Sequence, residues 1–189
     1  MTSTSDPSPL QPQLRLAYPV FRSINTRWSD NDIYGHVNNA VYYGWFDTAV
    51  NAHLIEQGAL DVQGGDTIGL VVETRCNYFA PLAFPQTIEV GIRVAHMGRS
   101  SVRYEVGLFA AGAPLSAAAG HFVHVYVDRT SRRPVALPAN LVNVLKTLHL
   151  GNGASCMHTA SAAAVLQWGI PYTLLQTFPC PDGLNAWTA

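Results

Sequence analysis

The sequence predicts an α+β domain in which one long, largely apolar helix is wrapped by a curved antiparallel sheet of about five strands. Three observations predict it. A single strand-like segment precedes a long helical one, and four segments with two-residue alternation follow. The helix carries only a narrow polar stripe, centred on Asp47 and Asn51, so it must be buried on several sides. The lengths also agree: about 18 helical residues at 1.5 Å rise span roughly 27 Å, which a nine-residue strand nearly matches.

Each element has its own signal. Val20 to Trp28 is β-rich, and the polar stretch from Ser29 to Val37, with Gly35 inside it, reads as a turn. Asn38 to Gln57 reads as the helix, with Asn38 as its N-cap. After a glycine-rich loop (58–69), Leu70, Val72, Thr74, Cys76 and Tyr78 share one strand face. Ile88, Val90, Ile92 and Val94 form the second alternating set, and Val102, Tyr104, Val106 and Leu108 the third. His121, Val123, Val125 and Val127 form the fourth. The joins, marked by Pro81 and Pro85, by Met97–Gly98 and by 111–114, are short enough to favour antiparallel neighbours. A short helix is expected over Asn140 to Leu148.

Composition bounds the function. The chain has 189 residues, of which 48% are hydrophobic and 12% charged, about half the usual charged share of roughly 25%. A surface that poor in charge points to cover by another subunit. The net charge of −1 and the lack of a basic stretch argue against nucleic acid or an anionic membrane as partner. Cys76, Cys156 and Cys180 have no CxxC spacing, which fits a reducing, cytoplasmic setting without disulfides or a zinc site. Residues 1–18 read as a disordered lead-in, 19–148 as the domain, and 149–189 as a C-terminal extension of unknown role.

The segment DNDIYGHVNNAVYYGWFD resembles the motif of the 4-hydroxybenzoyl-CoA thioesterase-like family of hotdog-fold acyl-CoA thioesterases. VVETRCNYFAPLAFPQTIEV, VAHMGRSSVRYEV and VYVDRTSRRPVALP resemble the strands that follow there, so the likeness runs from about Pro19 to Leu145. It implies the hotdog fold and hydrolysis of an acyl-CoA thioester to free acid and CoA. It places the catalytic carboxylate, nucleophile or general base, on Asp32, and the oxyanion donor on the backbone N–H of Asn39. It assigns CoA contact to the hairpin turn carrying Arg99 and Ser100, and implies a homodimer or homotetramer with sites at the interface. The chemistry agrees. A thioester carbonyl needs a nucleophile or an activated water, and positive potential where the oxyanion forms. The unpaired N–H groups at a helix start supply the second.

Other readings weigh less. Asp30 reads as a structural turn residue, and His36 either orients Asp32, contacts substrate or is satisfied by the turn. Glu73 reads as an exposed strand carboxylate, and Tyr42 and Trp45 as core. Asp30, Asp32, His36 and His53 lack metal-ligand spacing, and His121 and His124 face opposite sides of a strand, so no metal or cofactor is expected. A hotdog hydratase would place His five positions after Asp with an intervening Asn-Pro; here Asp32 to His36 is four, with neither. A non-catalytic acyl-CoA-binding hotdog protein is the remaining alternative.

Overall fold

The computed structural model describes residues 11–149. The expected extension over 149–189 and the first ten residues of the lead-in therefore lie almost wholly outside the described residues. Strand β1 (Val20–Asn25) is followed by helix α1 (Asn39–Glu56), then strands β2 (Thr67–Tyr78), β3 (Thr87–Met97), β4 (Ser101–Ala110) and β5 (Ala118–Asp128), and helix α2 (Ala139–Leu148). All strand pairs are antiparallel, in the order β1-β3-β4-β5-β2. This five-stranded sheet with its helix is the hotdog arrangement.

The helix begins where the sequence places it, because the Asn38 side chain accepts the Ala40 N–H at 2.9 Å. Its buried face carries Tyr42, Trp45, Phe46, Ala49, Val50 and Leu54. These meet the inner faces of β3 and β4, where Ile88, Val90, Ile92, Val102, Tyr104, Val106 and Leu108 are fully buried. Burial is one-sided, however. Tyr43, Asp47, Thr48, Ala52 and Ile55 form an exposed stripe, so within one chain the sheet covers less of the helix than its composition predicts.

Two strand faces differ from expectation. In β5 Phe122, His124 and Tyr126 are buried, with Ala118 and Val127, while His121, Val123 and Val125 lie half-buried on the outer face. The aromatic set, larger than the valines, takes the core. In β2 a bulge between Val71 and Glu73 breaks the alternation. Thr74, Cys76 and Tyr78 pair with inward-facing positions of β5, whereas Leu70 pairs with outward-facing Val125. The join at Pro81 and Pro85 is also no hairpin. It carries the chain from β2, at one edge, across to β3, near the other.

Part of the expected lead-in is built into the fold. Gly91 and Gly107 face each other on β3 and β4, and Tyr18 lies over both, so close that a Cβ on either glycine would stand 2.7 Å from its ring. Tyr18 packs edge-on against Phe109 at 5.7 Å, and Arg15 pairs with Glu89 at 2.7 Å. Burial of the Tyr18 phenol pushes its pKa up to about 12, despite the nearby Arg93 charge. Residues 14–18 are thus an outer strap on the sheet.

Candidate active site

The turn between β1 and α1 is closed by an Asn31–Val37 bridge. Asp32 N–H donates to the His36 carbonyl at 2.8 Å, and Gly35, at φ 82°, donates to the Asp32 carbonyl at 3.2 Å. Glycine is suited to that left-handed position because it has no Cβ to clash. The loop returns Asp32 to within one residue pair of His36, three residues before Asn39.

Asp30 anchors this turn. Its side chain is 1% exposed and accepts from Arg27 N–H at 2.7 Å, Arg27 Nε at 3.0 Å and Nη2 at 2.9 Å. Its carbonyl accepts the Asn38 N–H at 2.8 Å, tying the anchor directly to the helix cap. The far side is fixed by the β2–β3 link, where Leu82 accepts from Val37 N–H at 2.7 Å and Phe84 N–H donates to Asn31 Oδ1 at 3.0 Å.

Asp32 is bound more lightly. Its Oδ1 accepts the Tyr34 N–H at 2.8 Å and the His36 N–H at 3.4 Å, and both contacts are exposed. His36 therefore meets Asp32 through its backbone; its side chain lines a shallow recess with Tyr42, Tyr78 and Phe79. At the helix start, Ala40 N–H is taken by the Asn38 side chain and Val41 N–H by its carbonyl. Among the described residues none accepts from the Asn39 N–H. Tyr78 donates its hydroxyl to the Asn39 carbonyl at 3.3 Å.

An aromatic wall stands behind the turn. Tyr42 and Tyr78 meet edge-to-face at 4.9 Å. Burial raises the Tyr42 pKa, with smaller contributions from Cys76 and from the nearby Asp32 carboxylate. Burial likewise raises that of Tyr78, and pushes the Cys76 thiol up to about 11. Cys76 is thus a protonated thiol at neutral pH and no ready nucleophile. Trp28, Ile33 and Tyr34 are 82%, 92% and 78% exposed, an apolar rim around Asp32 that the sequence reading did not single out.

Arg99 and Ser100 are not brought to this turn. They sit in the β3–β4 hairpin, at the opposite end of β3 from Thr87 and the β1–α1 turn. Eleven residues of β3 at about 3.3 Å each put roughly 35 Å between the two ends. The Arg99 carbonyl accepts from Leu137 N–H and the Ser100 carbonyl from Tyr126 N–H, so the loop carrying Arg132 and Arg133 leaves β5 beside this hairpin. Those two arginines were not predicted; a basic pair within RTSRRP was the available signal. Glu73 lies on the outer face, bonded to His121 Nε2 at 2.6 Å, with Arg103 Nη2 at 2.9 Å from the other ring nitrogen. His121 and His124 do face opposite sides, and among the described residues no cluster of three metal-ligating side chains occurs.

Residues 26–145 match the thioesterase-like superfamily. The chain belongs to that superfamily. The structure is similar to that of the PA5185 protein of Pseudomonas aeruginosa, at 59% identity over 74% of this chain and 97% of that one, with a TM-score of 0.72. A thioesterase of Thermus thermophilus, solved with coenzyme A and Zn, is 29% identical over 70% of this chain and 95% of that one, TM-score 0.57. At 17% identity, over 67% of this chain and 94% of that one, a 1,4-dihydroxy-2-naphthoyl-CoA thioesterase of Synechocystis shares the fold, TM-score 0.61. No curated protein matches this chain. Among the described residues of this superfamily member, no helix is long and apolar enough to cross a membrane.

Proposed function

We propose that this thioesterase-superfamily chain hydrolyses an acyl-CoA thioester to a free carboxylic acid and CoA, in the manner of the 4-hydroxybenzoyl-CoA thioesterase-like enzymes. The observation that carries this reading is the single turn that holds a lightly bonded carboxylate, Asp32, next to the unclaimed Asn39 N–H of α1. In the reaction, Asp32 either attacks the thioester carbonyl, forming a mixed anhydride that water then hydrolyses, or takes a proton from an attacking water. The Asn39 N–H and the positive end of the helix receive the developing oxyanion, and CoA leaves as the thiolate, taking up a proton. His36 borders the substrate recess. The reaction written this way calls for no cofactor.

Arg99, Ser100, Arg132 and Arg133 then bind CoA phosphates on behalf of the Asp32 turn of another copy. An oligomer is favoured by three features: the distance between the two ends of β3, the exposed stripe of α1, and the free edge of β2. That edge carries Leu70, Val71 and Val72 at 39%, 50% and 62% exposure. We propose a homodimer or homotetramer, located in the cytoplasm, with residues 19–148, covered by the 14–18 strap, as the catalytic domain. The deciding experiment is thiol release, followed with a thiol reagent over aromatic, short-chain and long-chain acyl-CoAs. Binding without release across the panel would leave a non-catalytic acyl-CoA-binding protein.

A further inference from the structure

The cavity under the second half of α1 lies at the end of the sheet remote from Asp32. It has a volume of about 300 Å³, at the small end of the range for ligand pockets. Leu54, Leu60, Ile68 and Leu141 make its walls mostly apolar. Four polar side chains interrupt them, and three are already engaged. Asn51 donates to Asp47 at 2.9 Å, Arg129 donates to the carbonyls of Gly65 at 2.6 Å and Val62 at 3.0 Å, and the Tyr126 hydroxyl pairs with that of Tyr104 at 2.8 Å.

The fourth is His124. It is 4% exposed, and among the described residues neither ring nitrogen has a hydrogen-bond partner. Its ring packs edge-on against Phe122 at 4.7 Å and Tyr104 at 5.5 Å, contacts a hydrocarbon side chain could make without burying two polar atoms. Diagonally across from it, β2 carries Gly69, paired with Tyr126, where a Cβ would stand 2.9 Å from His124 Nδ1. The missing side chain at Gly69 leaves room for the imidazole itself, a polar group that the packing does not need. Burial holds the ring neutral, with its pKa lowered to about 4 against a small opposing effect of Asp47. A neutral imidazole offers one donor and one acceptor, and a hydroxyl group can meet either one, accepting from the N–H or donating to the bare nitrogen.

We propose that this cavity binds a flexible aliphatic chain bearing one hydroxyl group, and that His124 is the residue that reads the hydroxyl. Both nitrogens are covered in the unliganded arrangement, so binding turns the ring about its Cβ–Cγ bond toward the cavity. A volume at the small end of the ligand range suits a single medium-length chain. Such a chain has two sources: the acyl tail of a thioester presented by another copy, or a separate alcohol. The first rests on the hydrolase reading above; the second does not.

Two measurements on the full chain separate these. In the first, 1-octanol is titrated against the protein while the His124 ring resonances are followed by NMR, with His124→Leu to assign them. Octanol should shift the His124 resonances and bind at least fivefold more weakly to His124→Leu, the change expected from one net hydrogen bond. Unmoved resonances, or equal binding to the variant, would overturn the proposal. If His124→Leu fails to fold, Ile68→Phe, which narrows the cavity and leaves His124 in place, must weaken octanol binding to the same degree. In the second, KM is compared for decanoyl-CoA and 10-hydroxydecanoyl-CoA. A lower KM for the hydroxylated substrate, lost in His124→Leu at unchanged kcat, assigns the chain to the substrate. Octanol binding through His124 with no turnover of either thioester supports the pocket and removes the hydrolase reading alone.

Discussion

Asp32→Asn separates the chemistry of the turn from its structure. Asp32 Oδ1 accepts the Tyr34 N–H at 2.8 Å, and an asparagine Oδ1 can accept the same bond. That contact is exposed, so the change should cost stability no more than about 0.5 kcal/mol, the usual bound for surface substitutions. The anchor at Asp30 and the cap at Asn38 are untouched. Rate should respond very differently. An amide is neither a useful base nor a nucleophile, and loss of general-base assistance alone removes on the order of 10²–10⁴ in rate, with more if Asp32 attacks directly. A drop of about 10³ in kcat corresponds to roughly 4 kcal/mol of transition-state stabilisation. Thiol release from the best acyl-CoA of the panel, beside a urea melt of both proteins, measures the two effects. Turnover within tenfold of wild type, with an unchanged melt, would remove Asp32 from the reaction.

Three further outcomes follow from the packing. Asp30→Ala deletes the buried acceptor of three Arg27 donors and should destabilise by about 2–4 kcal/mol in denaturant, since bonds to charged groups contribute about 1.5–3 kcal/mol each and the exposed Arg27 regains water. Gly107→Ala places a methyl 2.7 Å from the Tyr18 ring and 2.8 Å from that of Phe109 and should cost about 1–3 kcal/mol, part of it recovered in a Tyr18→Ala background, which a double-mutant cycle reads. His124 has its folded pKa lowered to about 4 from 6.5, so the unfolded chain binds the extra proton between those values and stability falls as pH drops through that window. The loss should approach about 3 kcal/mol below pH 4, at 1.36 kcal/mol per unit. His124→Leu should flatten that part of the profile, leaving a smaller slope from His53, whose pKa burial also lowers.

Local patterns proved the most legible part of the sequence. The Asn38 cap, the limits of α1 and the core faces of β3 and β4 follow from residue type and period alone, because each is decided within a few residues. Pairing across the sheet is decided elsewhere. The eight residues from Phe79 to Gln86 look like a hairpin link, yet β2 pairs with β5, and nothing within that link specifies its partner. The β2 bulge was hidden for a similar reason: Leu70, Val71 and Val72 are all apolar, so the slip between faces leaves no mark on the pattern. In the turn, the spacing of two carboxylates did not reveal that Asp30 is buried under Arg27 while Asp32 keeps its exposed contacts. Arg99 shows the limit most clearly, since within one chain it lies at the far end of β3 from Asp32, and sequence alone does not say how two copies would bring them together.

The strap over Gly91 and Gly107 changes where the domain should be said to begin. Two facing glycines leave a bare patch of backbone on the outside of the sheet, and the segment ahead of β1 lays a tyrosine across it. A chain trimmed to start at Pro19, the boundary the composition invites, would keep every strand and the whole Asp32 turn. It would also strip the cover from Phe21 and Phe109, which pack 5.6 Å apart beneath Arg15, and from the Glu89 carboxylate that arginine neutralises. The edge that composition suggests is therefore an internal seam, and the strap packs as part of the outer wall itself.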